Sequence, residues 1–323
     1  MKNLARPLAA FIILLVAAGR VSAAPAAPGI TISPPSQQVA ITPGEESHEV
    51  NFKVTNNRPS AQSLQISTAD FNTLEDTGGL VFVGANPTQL QKKYGLAQWL
   101  NIPQSSLSVP PHQTVIVKAQ VLNLPSLSPG GHYGAILLHA PGQNSIVKGK
   151  NIVGLNPIGS ILLFVNKVGG DIHKLRLDRV SRTGNTFKLP DSVTLRFYNS
   201  GNTHLTPRGV VTITDSSGKV VERGVINEDS SVILPEVYRL YTVHLAKKSN
   251  SHKTGRYHLN IAFRFDGFDQ FRFYQTGFLL IGPIVVLGGF VVIVVLVSAV
   301  IFGLRRLGVK IAISGSKSSR KRS

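Results

Sequence analysis

The sequence predicts an all-β chain, two β-sandwich domains in tandem, followed by one C-terminal transmembrane α-helix. Three observations carry that expectation. Apolar and polar residues alternate with a period of two through most of residues 30–276, and helical spacing is scarce there. Clusters rich in Gly, Pro, Asn, Asp and Ser punctuate the alternating runs. Residues 278–304 contain no charged side chain.

The N-terminus has the three parts of a secretory signal, assigned to residues 1–23 and followed by a linker at 24–29. Lys2 and Arg6 supply the positive start, residues 8–18 the apolar stretch, and Val21-Ser22-Ala23 the small residues for cleavage after Ala23 or Ala24. Cysteine is absent, which excludes disulfides, thiolate chemistry and an N-terminal lipid-modified Cys. The formal charge of +18 is concentrated at the ends. Setting aside Lys2, Arg6, Arg20 and the seven basic residues from Arg305 onward leaves 24 basic against 16 acidic residues, a mild balance that does not call for nucleic acid as a partner.

The first sandwich is expected at residues 30–168, the second at 171–276, with Gly169-Gly170 at the junction. Val50, Phe52 and Val54 share one strand face, as do Val115, Val117, Ala119 and Val121. In the second half Leu195 and Phe197 alternate with Thr194 and Arg196, and Tyr257, Leu259, Ile261, Phe263 and Phe265 line one side of the clearest strand. One packed and one wet face suits a sandwich sheet. The halves repeat a plan. Residues 50–56 and 193–199 are alternating strands that end in Asn, Val109-Pro110 and Leu234-Pro235 mark turns, and Gly131-His132-Tyr133 and Gly255-Arg256-Tyr257 open apolar strands. Gly-x-Tyr before a late strand suits the tyrosine corner of immunoglobulin-like sandwiches, so Gly131, Tyr133, Gly255 and Tyr257 are read as structural. Pro59, Pro87, Pro103, Pro110 and Pro111 are expected to interrupt strands of the first half and shield its edges.

Residues 73–102 read as an insertion in the first sandwich, with a short helix near Leu96, Trp99 and Leu100. Trp99 is the only tryptophan. It either caps the first core or stands beside Lys92, Lys93 and Tyr94 as a binding aromatic for glycan or protein.

Residues 278–304 reach about 40 Å as a helix, against a hydrocarbon core of about 30 Å. Arg305 and Arg306 follow at once in a basic tail, residues 305–323. The positive-inside rule places that tail in the cytoplasm and the sandwiches outside the cell membrane.

Several segments together resemble the WxL-interacting surface proteins of Gram-positive bacteria. In the first half these are Ile30-Thr31-Ile32-Ser33-Pro34, Pro43-Gly44, Phe52-Lys53-Val54-Thr55-Asn56, Trp99-Leu100, the run from Pro129 through Gly130-Gly131-His132-Tyr133 to Ile136, and Ile158-Gly159-Ser160-Ile161-Leu162. The second half contributes Leu175-Arg176-Leu177, Phe197-Tyr198-Asn199-Ser200-Gly201-Asn202, Gly209-Val210-Val211, Gly218-Lys219, Leu234-Pro235 and Gly255-Arg256-Tyr257. The resemblance implies envelope attachment, with one domain associated with peptidoglycan and the other with a host or partner protein.

No catalytic constellation accompanies this plan. The nine His residues are scattered without H-x-H or H-E-x-x-H, and neither a G-x-S-x-G elbow nor a phosphate loop is present. His244, His252 and His258 are irregularly spaced for metal, and Asp70, Glu75 and Asp76 do not match a calcium loop. No enzyme activity and no cofactor are expected. The leading expectation is a surface module binding cell-wall polymer or another surface protein, tethered in membrane lipid by one span. The alternative is a membrane-tethered chaperone or assembly factor acting by β-strand addition, whose sign would be a long, unshielded edge strand.

Overall fold

The computed structural model describes residues 29–82, 89–142, 146–148, 151–153, 157–184, 187–247 and 254–306; the signal segment, most of the basic tail, Pro87 and His252 lie outside them. The described chain is mostly β, with one long apolar helix at its C-terminal end. In the first half the strands are β1 (Ile30–Ser33), β2 (Ser36–Ile41), β3 (Ser47–Asn56), β4 (Gln62–Leu74), β5 (Gly79–Phe82), β6 (Leu100–Asn101), β7 (Ser106–Val109), β8 (Thr114–Leu122), β9 (Gly130–His139), β10 (Ile146–Lys148), β11 (Asn151–Val153) and β12 (Gly159–Lys167). Helix α1 (Gln89–Tyr94) and a 3-10 turn (Ala97–Trp99) lie between β5 and β6. The second half holds β13 (Leu175–Arg182), β14 (Ser192–Asn199), β15 (Arg208–Thr214), β16 (Val220–Ile226), β17 (Tyr238–His244), β18 (Ala246–Lys247), β19 (Gly255–Phe265) and β20 (Phe268–Leu280), followed by α2 (Pro283–Arg306).

Sequence alternation becomes burial alternation. Val50, Phe52 and Val54 are at most 1% exposed, whereas Asn51 and Lys53 between them face water. Tyr257, Leu259, Ile261, Phe263 and Phe265 are all buried on one side of β19. Each half has its own core, fed by two sheets. In the first, β1-β3-β8-β6 faces β2-β12-β9-β4-β5, with β7 also on β4. In the second, β13-β14-β17 faces β18-β16-β15-β19-β20. Burial of each Val, Leu, Ile or Phe in these cores contributes about 1.5–3 kcal/mol of transfer free energy.

The repeated Asn residues hold the two halves in the same way. Asn56 donates through Nδ2 to the carbonyls of Ser60, Val109 and Pro110, and its Oδ1 accepts from the Arg58 amide. Asn199 donates to Thr203 and Ile233 and accepts from Gly201. Each is fully buried and ties the end of its strand to the segment at the following Pro. A buried amide with this many partners replaces water for backbone groups that have left the ladder.

Strand β9 is buried along its whole length because both of its faces are used. Ile136 and Leu138 enter the first core, while Tyr133, Ala135 and Leu137 join Phe71, Tyr94, Phe164 and Leu234 in a third cluster between the halves. Gly169 and Gly170 lie between β12 and β13 with φ of 105° and 153°, a conformation that side chains disfavour.

Three expectations are corrected. Residues 278–280 do not belong to the helix; they extend β20 and pair with 255–257 of β19, with Leu280 2% exposed, so the helix begins at Pro283 and the second half continues to residue 280. Pro59, Pro103, Pro110 and Pro111 stand in the connections between strands and interrupt none. The segment 73–102 is not a separate insertion at its start, since Thr73 and Leu74 continue β4 and pair with β5.

Candidate functional site

Of the residues expected to form a binding face, Lys93 and Tyr94 lie at the seam between the halves. Lys92 and Lys93 lie in the last turn of helix α1. Lys93 Nζ reaches Glu236 Oε1 of the second half at 2.5 Å, and the Tyr94 hydroxyl donates to the same oxygen at 2.8 Å. These bonds hold the Glu236 carboxyl below its usual range, Lys93 first and Tyr94 second. Burial, with the Glu236 bond second, pushes the Tyr94 phenol up to about 12. Lys92 remains exposed. Trp99 is 7% exposed within the first core, its Nε1 donating to Ser126 Oγ at 3.2 Å and its ring tilted against His132. Of the two sequence readings of Trp99, the structure therefore selects the core one.

Gly131 and Tyr133 also serve the seam. The Gly131 amide donates to the Asn202 carbonyl at 2.7 Å, and a side chain at Gly131 would strike the Tyr133 hydroxyl. The Tyr133 ring meets His204 edge-on, its hydroxyl 3.5 Å from Nδ1. The hydroxyl thus lies both against Gly131 of its own loop and against His204 across the seam. Burial lowers His204 to about 4, so its imidazole is neutral at physiological pH. Arg196 completes the contact, bonding Asp76 at 3.0 Å and Asp178 at 3.1 Å with its guanidinium 3.7 Å from the Tyr238 ring centre. Asp70 instead accepts the amides of Leu96 and Ala97 at 2.6 Å, so Asp70 and Asp76 are engaged in different structural contacts. Among the described residues no cluster of three His, Asp or Glu side chains is placed to hold a metal ion. Glu236 and His204 carry no motif, and only the pairing of distant segments, Lys93 and Tyr94 with Glu236 and Tyr133 with His204, reveals their role.

Gly255 and Tyr257 open β19 opposite Leu280 and Phe278. Tyr257 is 4% exposed and stacks on Phe278, over which the Arg182 guanidinium sits at 4.3 Å. Arg305 and Arg306 end α2, and the Arg306 guanidinium lies over Phe302. Within α2, residues 284–304 are long and apolar enough to cross a membrane and are not buried against the rest of the chain.

The most open feature of the second half is β20. It is 13 residues long, pairs only with β19 among the described residues, and contains no proline. Its core-facing residues are Leu280, Phe278, Thr276, Tyr274 and Arg272, by parity with the buried partners of β19. Tyr274 is 44% exposed there, and Arg272 lies over Phe265 and Phe268 while donating to the Leu175 carbonyl at 3.0 Å. An incoming strand would find unpaired backbone groups on the free side of β20 and aromatic walls on its core side.

No family model matches the chain, and no curated protein matches it. Among solved structures it is similar to the class 5 fimbriae chaperone CfaA, with TM-score 0.41 and 14% identity over 78% of this chain and 99% of that one. A chaperone–tip adhesin complex of CFA/I fimbriae gives TM-score 0.41 and 12% identity over 79% and 99%. The Salmonella enterica SafA pilin in complex with the SafB chaperone gives 0.34 and 11% over 80% and 99%. The leading expectation of a module for cell-wall polymer is corrected: Trp99, the aromatic it would have used, is buried in the first core.

Proposed function

We propose that the chain is a non-enzymatic, membrane-tethered chaperone or assembly factor that holds a partner surface protein by β-strand addition. In this reading each half is an immunoglobulin-like sandwich, α2 crosses the cell membrane once, and the basic tail keeps the sandwiches outside. The observation that supports it is the bare edge of β20, 13 residues long and free of proline. Proteins that do not use such an edge shorten it, charge it heavily or cover it. The edge is attached to the membrane segment, since only Ile281 and Gly282 separate β20 from α2. A partner strand would therefore be held close to the bilayer.

The test is a photo-crosslinking amino acid at Tyr274, on the core side of β20, of the full chain in its native host. Adducts to a secreted or surface protein that map to an extended segment are expected. Absence of adducts, with Ile116 labelled as an exposed control on the first half, would reject strand addition at β20.

A further inference from the structure

The outer face of the second half carries an apolar row that its water-facing role does not require. Pairing registers place Val225 beside Val210, Val210 beside Ala262 and Ala262 beside Phe273, across β16, β15, β19 and β20. All four lie on the face opposite the core, because their chain neighbours Ile226, Val211 and Ile261 are buried. At about 4.8 Å between strands the row is about 14 Å wide. Phe273 is 81% exposed at its end, and Phe271, also outward, is 49% exposed. Arg264 lies over Phe271, and Arg223 and Arg256 share this face. Asp269 is the acidic residue of β20 on the same side, and Arg208 is already paired with Asp266.

We infer that this face rests on the phospholipid surface of the bilayer that α2 crosses, with Phe271 and Phe273 in the interfacial layer and the arginines at the phosphates. The inference rests on α2 being a membrane span. The occupant follows from the tether. Phe273 is ten residues from Pro283, so it never stands more than about 35 Å from the start of the helix. Encounter with the bilayer is therefore intramolecular, which lets a patch of two aromatics and three arginines stay docked. A flat face with exposed rings and guanidinium groups suits a headgroup layer, where rings sit at the apolar boundary and cations meet phosphate. Docking would lay β20 along the membrane with its free edge still open to the side.

The chain has no cysteine, so a single introduced Cys takes a spin label at one site. The test uses full-length Gln275→Cys, beside the row, and Ile116→Cys on the first half, reconstituted in phosphatidylcholine–phosphatidylglycerol vesicles. The expected result is a severalfold loss of access to a water-soluble nickel relaxant at 275 but not at 116, reversed when Phe271→Ser and Phe273→Ser are added. Protein that floats with the vesicles while position 275 stays water-accessible would overturn the inference and leave the span intact. Protein that fails to float would overturn the span, and the inference with it. Protection that grows with the protein-to-lipid ratio would assign the face to a second copy and overturn it as well.

Discussion

The two halves share a strand plan and differ at one edge. Strands β3 and β8 in the first half correspond to β14 and β17 in the second, and β9 and β12 to β19 and β20. Strand β12, however, is covered on its outer side by β2, which pairs with it in parallel from Leu162 opposite Ser36 to Lys167 opposite Ile41. Strand β20 has no such cover among the described residues. The same sandwich is therefore closed once and left open once. The lesson is that a repeated core fixes stability in both halves, while the presence of one six-residue strand decides which half keeps a bare edge.

Changes in the shared core should affect both halves alike. Phe52 on β3 and Phe197 on β14 are each buried to within 1%. Phe52→Ala and Phe197→Ala are each expected to cost about 3–5 kcal/mol in urea denaturation of the full chain. A cost well below that for one alone would break the equivalence of the cores. The Asn ties come next. Asn56→Ala and Asn199→Ala each strand several buried carbonyls and are expected to cost about 2–4 kcal/mol. Unequal losses would show that the two ties are not doing the same work.

The halves differ in their titration. Glu222 on β16 faces the second core at 1% exposure, and burial pushes its carboxyl up to about 7. The unfolded carboxyl ionises near 4.5, so this contribution is complete below that pH and is lost as pH rises through 7. Relative to Glu222→Gln, the native chain is expected to lose about 2–3 kcal/mol between pH 5 and 8. His204 acts in the opposite sense at the seam. Its unfolded value is 6.5 and its folded value about 4, so its contribution is full above 6.5 and falls as the pH drops toward 4. Stability curves for Glu222→Gln and His204→Gln separate the two. Glu236→Ala, which frees Lys93 and Tyr94, is expected to cost about 1 kcal/mol and to loosen the seam in amide exchange. The smallest effect belongs to the open face: Phe273→Ser should change stability by no more than about 0.5 kcal/mol, because the ring packs on little.

How legible this was depends on the range of each contact. The strand at residues 257–265 is readable because alternation is local and its apolar positions are all core positions. Asn56 and Asn199 are visible as strand ends, but their roles as buried ties depend on carbonyls more than 30 residues away. Trp99 left two readings open because burial is a property of what covers a residue, not of the residue. Residues 278–280 read as helix because they are apolar and continuous with the apolar run that follows, yet pairing with β19 decides them. The cover of β12 by β2 is a parallel pairing across more than 120 residues, and nothing in residues 36–41 announces it.

The most direct test of an open second half is residue-resolved amide hydrogen exchange on the full chain, comparing β12 with β20. Protection of both rows of amides through 162–167, against fast exchange of alternate amides through 268–280 that slows when the crosslinked partner is bound, is the predicted result. Uniform slow exchange along β20 in the isolated chain would contradict it, since the edge would then already be covered.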